Sequence, residues 1–195
     1  MKKPLLAVSK LPTMNLDRIV NDFGDALFAI DSERRPFKTF QPGVGPYGEP
    51  QLLKLVAEHL NILGPYTGMR TRRTPDLLIP GQWAIECKVA RPFGDNGKQA
   101  ENWSVNLLHP YEGNVSLIGD CLKLRALSGS ERKAVLVIGY EHTPPQINLA
   151  PLFRAFELVA AEVAGVRLSS RFETTRVGLV HPVHRQLLVV AWEVL

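Results

Sequence analysis

The residues best suited to chemistry are Asp76, Glu86 and Lys88, which flank a predicted β-hairpin. Apolar runs precede and follow Pro80-Gly81, and a Pro-Gly pair between two such runs is typical of a turn that joins antiparallel strands. A three-residue loop places Asp76 opposite Glu86 on the neighbouring strand. Because side chains alternate along a strand, Glu86 and Lys88 share a face that we expect to be open to solvent. The other face is expected to be core and carries Trp83, Ile85, Cys87 and Val89.

A pair of facing acids needs a positive partner. Two ionised carboxylates about 5 Å apart repel each other by roughly 3 kcal/mol at an effective dielectric constant near 20, which exceeds the contribution of a good cross-strand pair. Lys88 is one candidate partner and would make the cluster structural. A divalent cation is the other, because Mg²⁺ favours one or two carboxylates together with water and phosphate oxygens. The shared face of Glu86 and Lys88 favours the catalytic interpretation.

A third acid, Glu49, stands at the start of a predicted helix of about residues 50–63, in which Pro50 suits the first helical position. Glu49 lies on the apolar side of this helix, whereas Glu58 falls on the opposite face. The carboxylate of Glu49 is favourable beside the helix N-terminus, and this role is compatible with a role in the site. The apolar side is formed by Leu52, Leu53, Val56, Leu60 and Leu63.

The order Glu49, Pro75-Asp76, Glu86-Cys87-Lys88 resembles the PD-(D/E)xK nuclease superfamily, which includes restriction endonucleases and archaeal Holliday-junction resolvases. The resemblance covers about residues 46–140. It implies that Glu49, Asp76 and Glu86 bind Mg²⁺, for which Mn²⁺ is expected to substitute, and that Lys88 positions or deprotonates the attacking water. It also implies a core made of a helix, three strands, a helix and a strand. Cys87, in a slot that is more often aliphatic, is interpreted as a small buried hydrophobe.

The remaining patterns predict elements that complete this core. They favour an α/β fold with a three-layer, restriction endonuclease-like core, in which a central mixed sheet is flanked by helices. An N-terminal helix and a C-terminal helix and hairpin are added, and residues 1–195 form a single domain. The predicted elements are a helix at 16–30 capped by Asn15, a strand near 66–71, a helix at about 115–127 with Asn114 as its possible cap, a buried strand at 133–140, a helix at 149–164 and a hairpin of 176–180 with 187–193.

Composition sets broad limits on the class of protein. The chain has 195 residues, 45% of them hydrophobic, and two cysteines without zinc-like spacing, so neither a disulfide framework nor a zinc site is indicated. The apolar run in Met1–Lys10 is too short for a signal peptide, and no stretch is long enough to span a bilayer. We therefore expect a cytoplasmic protein.

Basic residues flank the predicted hairpin on both sides. The formal net charge of +4 permits nucleic-acid binding without requiring it. Each basic residue either neutralises a DNA phosphate or stays solvated on a loop, and solvation is favoured for Arg34 and Arg35. His181 and His184 are interpreted as polar loop residues without a catalytic role. The candidate phosphate contacts are Arg70, Arg72 and Arg73 before the hairpin and Arg91 and Lys98 after it.

These patterns predict a Mg²⁺-dependent endonuclease that hydrolyses DNA phosphodiester bonds, most consistent with a restriction-type enzyme that cuts duplex DNA. Cleavage of both strands needs two sites, so a two-fold homodimer is expected. A structure-specific or repair nuclease remains an alternative. A different class of alternative is a nonenzymatic DNA-binding or assembly protein that retains the fold, with Lys88 neutralising the two acids.

Overall fold

The computed structural model describes residues 14–100, 102–111, 113 and 115–195. The expectations for Met1–Lys10 and for Asn114 lie outside these residues. None of the described helices has the length and hydropathy needed to cross a membrane. The helices are α1 (Leu16–Ser32), α2 (Glu49–Asn61), α3 (Val105–Leu108), α4 (Leu117–Ala126) and α5 (Ala150–Glu162), and the strands are β1 (Arg70–Thr71), β2 (Leu77–Ile79), β3 (Trp83–Ala90), β4 (Arg132–Glu141), β5 (Phe172–Val177) and β6 (Gln186–Glu193).

The six strands form one mixed sheet in the order β1-β2-β3-β4-β6-β5. β3 and β4 are parallel, and all other neighbours are antiparallel. Alternate residues of β4 enter two separate apolar cores, one beneath α1 and α2 and the other beneath α4 and α5. Because both faces are covered, β4 is buried continuously from Ala134 to Glu141, as its apolar sequence predicts. The expected α/β architecture, a mixed sheet flanked by helices, is confirmed.

The predicted hairpin of β2 and β3 is confirmed together with its register. Leu77 pairs with Ile85, and Ile79 pairs with Trp83 across the loop. The backbone N–H of Gln82 closes the turn by donating to the Ile79 carbonyl over 3.0 Å. Gly81 adopts a φ of +68°, a conformation that glycine accepts without steric cost, so the Pro-Gly signal has a direct structural reason.

Several predicted boundaries are confirmed closely and others are wrong. Asn15 caps α1 by accepting from the N–H of Arg18 over 2.8 Å. The strand expected near 66–71 is only two residues long, because Gly64–Tyr66 forms a 3₁₀ turn and the Tyr66 ring is buried. Leu63 lies beyond the end of α2 and is 42% exposed instead of joining its apolar side.

The second core helix begins later than its pattern predicts. Ser116 caps α4 by accepting from the N–H of Gly119, so the helix begins at Leu117. Val115, the first residue of the predicted helix, precedes the cap and is 73% exposed. Ile118 and Cys121 are buried as predicted. α3 is a single additional turn that the sequence patterns do not predict.

Candidate functional site

The candidate site lies where β3 extends beyond its partner β2. The β2 pairing ends at Ile85, so the second half of β3 has an edge with which no strand of the described chain pairs. At this edge the N–H of Cys87 donates to Oδ2 of Asp76 over 2.8 Å. The Asp76 carbonyl in turn accepts from the N–H of Arg72 over 3.0 Å. The Asp76 carboxylate therefore accepts the hydrogen bond that a neighbouring strand would otherwise accept, and this bond holds Asp76 beside Glu86.

Asp76 and Glu86 form a carboxyl pair. Glu86 is only 1% exposed, and its pKa is raised to about 8. Burial is the largest cause, and the hydrogen bond to Asp76 and the charges of Asp76 and Asp120 act in the same direction. Its Oε1 atom has no hydrogen-bond partner among the described residues. Near neutral pH this pair consequently retains a proton or requires a cation.

Glu49 is the first residue of α2 and is half-buried. Burial raises the pKa of Glu49 to about 7, while the charge of Lys88 and a backbone hydrogen bond with Val89 lower it. The charges of Asp76 and Asp120 act in the raising direction. Glu49 therefore belongs to the same electrostatic cluster as the hairpin acids. The exposed Glu58 lies on the other side of α2, as predicted.

Lys88 makes its shortest contact with an acid that the sequence patterns do not identify. Its Nζ atom lies 2.6 Å from Oδ2 of Asp120, a fully buried residue of α4. Burial alone lowers the pKa of Lys88, but the carboxylates of Asp120, Glu49 and Asp76 outweigh it, and the net pKa is raised. The lysine is thus held as an ammonium group, with Asp120 as its principal partner.

Lys123, one turn along α4, completes the network. Its Nζ atom lies 2.5 Å from Oδ1 of Asp120 and 3.9 Å from Oε2 of Glu86. A sequence signal for Asp120 did exist, because it lies three residues after Leu117 and four before Leu124, on the apolar side of the helix. An acid on the apolar side of a helix indicates that its carboxylate has a polar partner in the protein interior.

The expectation that the Glu86 face is open to solvent is wrong. Ala84, on the same side of β3, joins the core beneath α4 and α5. Glu86 is covered there, and the side chain of Lys88 is only 13% exposed. The physical reason is that the parallel β3–β4 connection carries α4 across this face. The opposite face is core as predicted, with Val89 partly buried.

Solvent reaches the cluster through a cleft beside α2 and β1. The cleft has a volume of about 440 Å³. Glu49 and Asp76 line it together with Arg72 and Arg73. A chain of phosphate groups entering the cleft would meet these arginines beside the two acids. The full lining consists of Glu49, Pro50, Leu53, Thr71, Arg72, Arg73 and Asp76.

The five candidate phosphate contacts fall into distinct environments. Arg70, Arg72 and Arg73 are exposed beside the cleft, and Lys98 is exposed on the loop after β3. Arg91 instead anchors a neighbouring loop, because its Nη1 atom donates to the carbonyls of Gly45 over 2.6 Å and Tyr47 over 3.1 Å. The structure therefore brings two of the five residues, Arg72 and Arg73, to the cleft that Glu49 and Asp76 line.

His181 and His184 lie in the loop between β5 and β6, as predicted, but they are buried, with 0% and 2% of each residue exposed. They stack with centroids 4.4 Å apart, and Nε2 of His181 contacts Oδ1 of Asp95. Nε2 of His184 lies 2.9 Å from the Phe93 carbonyl. This histidine cluster fastens the turn between β5 and β6 to the loop after β3.

The Asp76–Glu86 pair fits a hard divalent cation. The pair offers carboxylate oxygens, one of them buried without a partner, and Mg²⁺ favours one or two carboxylates with water in its remaining positions. Across the described ranges, no three His, Cys, Asp or Glu side chains converge as a ready-made metal site. Glu49 is thus near the pair but does not form a complete ligand set with it.

Comparison with known proteins assigns no family to this chain. No protein-family model matches it, and neither curated proteins nor solved structures gave a match. The chemistry of the site is therefore inferred from its own residues.

Proposed function

We propose that this chain is a Mg²⁺-dependent endonuclease of the PD-(D/E)xK type that hydrolyses DNA phosphodiester bonds, as restriction enzymes do. One observation carries the proposal. The half-buried carboxyl of Asp76 and the buried carboxyl of Glu86 contact each other, while the ammonium group of Lys88, which shares their strand face, pairs with Asp120 over 2.6 Å. Lys123, whose Nζ atom lies 3.9 Å from Oε2 of Glu86, is also paired with Asp120. A carboxyl pair whose neighbouring lysines are both paired with another acid is suited to a metal ion.

The order of the elements supports a restriction endonuclease-like fold. α2 is followed by β1, β2 and β3, then by α4 and β4. This is the helix, three strands, helix and strand implied by the motif order of Glu49, Asp76 and Glu86. α1 and the unit of α5, β5 and β6 are additions before and after that core.

Each residue of the site has a defined task in the proposal. Asp76 and Glu86 would hold Mg²⁺, and Glu49 would add a carboxylate from the start of α2. The ion, when bound, supplies Lewis-acid stabilisation of the phosphate charge and a lowered pKa for bound water. Lys88 orients the attacking water as a charged hydrogen-bond donor, and Asp120 is a positioning residue that fixes the ammonium group from α4.

The reaction is a simple hydrolysis. Water adds to phosphorus, one P–O ester bond breaks, and the products are a phosphate end and a hydroxyl end. Arg72 and Arg73 line the cleft with Asp76 and would neutralise the phosphates that flank the scissile bond. Cutting both strands of duplex DNA requires two sites, so the proposal includes a two-fold homodimer.

The test is cleavage of supercoiled plasmid by purified protein with Mg²⁺, with Mn²⁺ or with EDTA. The wild type is expected to nick or linearise the plasmid only with a divalent ion, and Asp76→Asn and Lys88→Ala are expected to abolish cleavage. Glu58→Gln is the matched control for Glu49→Gln, because Glu58 is an exposed acid of the same helix. Cleavage that survives both Asp76→Asn and Lys88→Ala would refute the site assignment.

A second candidate function is a nonenzymatic DNA-binding or assembly protein, and the closed ion-pair network favours it. Lys88 and Lys123 both contact Asp120, over 2.6 and 2.5 Å, and Lys123 also lies 3.9 Å from Glu86, as in a structural cluster. This alternative predicts DNA binding that is unchanged by EDTA, no cleavage with any divalent ion, and a Glu86→Gln variant that binds DNA as the wild type does.

A further inference from the structure

An exposed loop between α1 and α2 carries aromatic rings in an ordered row. The loop is closed by a bridge between Pro36 and Pro42, and its tip is a turn in which the N–H of Phe40 donates to the Phe37 carbonyl over 3.1 Å. The bridge and the turn give the tip a defined backbone. The rings of Phe37 and Phe40 are therefore presented together at the surface.

The row contains three rings. Phe37 stacks on Tyr47 with centroids 4.5 Å apart and planes inclined by 29°, and on Phe40 with centroids 6.1 Å apart and planes inclined by 15°. Phe40 forms the outer end and is 42% exposed. A stacked row that ends in an exposed phenyl face can be extended by one more flat ring.

The loop that carries the row also carries basic residues. Nζ of Lys38 lies 5.2 Å from the centroid of Phe37. Arg35 pairs with Glu33 over 2.7 Å, but in the described part of the chain neither Arg34 nor Lys38 has a carboxylate within ion-pair distance. Flat apolar faces beside free cations complement a nucleic acid strand, whose bases stack and whose phosphates are negative.

The inner end of the row is attached to the candidate site. Tyr47 precedes Glu49 by two residues, and its carbonyl accepts from Arg91, the residue that follows β3. The inner ring of the row therefore lies two residues before the first acid of the carboxyl cluster, on the loop that Arg91 anchors to the end of β3.

We propose that the loop binds an unpaired nucleobase by stacking it on Phe40, with Arg34 and Lys38 on the flanking phosphates. The proposal rests on the proposed function for its choice of DNA and adds a substrate class, namely DNA that carries an unpaired or flipped base near the scissile phosphate. It assigns a binding role to exposed loop residues outside the carboxyl cluster.

The test measures binding without cleavage, in EDTA, by the fluorescence anisotropy of labelled oligothymidylate and of a blunt duplex. Phe40→Ala and Phe40→Leu are expected to weaken oligothymidylate binding by about 5- to 150-fold, because stacking contributes roughly 1–3 kcal/mol per base. Phe40→Trp is expected to retain or increase the affinity. Thermal unfolding of each variant confirms that the exposed substitution leaves the fold intact.

Two outcomes would overturn the proposal. Wild-type affinity in Phe40→Leu would mean that an apolar contact suffices, as for a protein partner, and wild-type affinity in both Phe40→Ala and Phe40→Leu would remove the loop from DNA binding. The proposed nuclease function fails separately, through the absence of metal-dependent cleavage. Retained oligothymidylate binding by a protein that cuts nothing would therefore refute only the nuclease assignment.

Discussion

Two buried polar clusters of this molecule differ in the charges that they bring together. Each contains a buried atom without a hydrogen-bond partner among the described residues, namely Nδ1 of His184 in one and Oε1 of Glu86 in the other. The histidine cluster at the β5–β6 turn bonds to the surrounding loops, since Nδ1 of His181 accepts from the N–H groups of Val183 and His184 over 3.0 Å each. The carboxyl cluster at the edge of β3 combines four acids with two lysines. The former fastens two loops together, whereas the latter holds more acids than lysines, and the pKa values of two of its acids, Glu49 and Glu86, are raised. The carboxyl cluster consists of Glu49, Asp76, Glu86, Asp120, Lys88 and Lys123.

The two clusters also differ in the sign of their pH dependence. Burial raises the pKa of Glu86 from its usual 4.5 to about 8, so the folded protein holds a proton that the unfolded chain loses as the pH rises. Burial lowers the pKa of His184 from 6.5 to about 4, so the unfolded chain takes up a proton first as the pH falls. The carboxyl cluster therefore destabilises the metal-free protein at high pH, and the histidine cluster destabilises it at low pH.

The largest expected effect comes from removing the acid pair. Asp76→Asn and Glu86→Gln are expected to reduce Mg²⁺-dependent plasmid cleavage by at least about 100-fold, because they remove the charges proposed to hold the ion. Asp95→Asn, which alters an acid of the histidine cluster, is the matched control and should retain cleavage within a few-fold. Equal losses in Asp95→Asn and Asp76→Asn would erase the functional distinction between the clusters.

The next effect concerns the ion pair of Lys88 and Asp120. Asp120→Ala is expected to lower the free energy of unfolding by about 3–5 kcal/mol, because it leaves the mostly buried Lys88 without its principal partner. Denaturant unfolding at neutral pH measures the change. Lys88→Met combined with Asp120→Leu should recover much of the loss, and strictly additive losses would show that the two residues do not act as a pair.

The pH dependence of stability gives an effect of a few kcal/mol at most. Without divalent ions, the melting temperature is expected to fall as the pH rises from about 5 to about 8, since Glu86 contributes stability below its unfolded pKa that is lost as the pH passes its folded pKa. In Glu86→Gln this decline should flatten. Saturating Mg²⁺ should also oppose it, and a decline of equal slope in the variant would contradict the role of Glu86.

The smallest effect is predicted at the histidine cluster. A methyl group at Gly45 would overlap the imidazole of His184, so Gly45→Ala is expected to lower the free energy of unfolding by about 1–3 kcal/mol. Gly64→Ala meets open space and is the control. Cleavage by the folded Gly45→Ala protein should stay close to that of the wild type, whereas abolished cleavage would connect the histidine cluster to the reaction.

Local patterns predicted much of the fold because local chemistry determines those parts. Asn15 and the Pro-Gly turn act within a few residues, and the hairpin register follows from the length of the turn. The apolar run of β4 indicated a strand covered on both faces. By contrast, Pro65 and the buried ring of Tyr66 turn the backbone into a 3₁₀ segment where a longer strand was expected.

The candidate site was predictable only in part. Strand alternation and turn geometry indicated the proximity of Asp76 and Glu86, which are close in sequence. The partner of Lys88 was not predicted, because Asp120 comes from α4 and its approach depends on how that helix crosses β3. The burial of His181 and His184 likewise depends on a loop that contributes Phe93 and Asp95 from far along the chain.

The most direct measurement is a calorimetric titration of metal-free protein with Mn²⁺ at a pH above 8, where the acid pair is ionised most readily. The wild type and Asp95→Asn are expected to bind the ion with similar affinity, whereas Asp76→Asn and Glu86→Gln lose that binding. Absence of Mn²⁺ binding by the wild type, or unchanged binding by both acid variants, would contradict the assignment of Asp76 and Glu86 as a cation site.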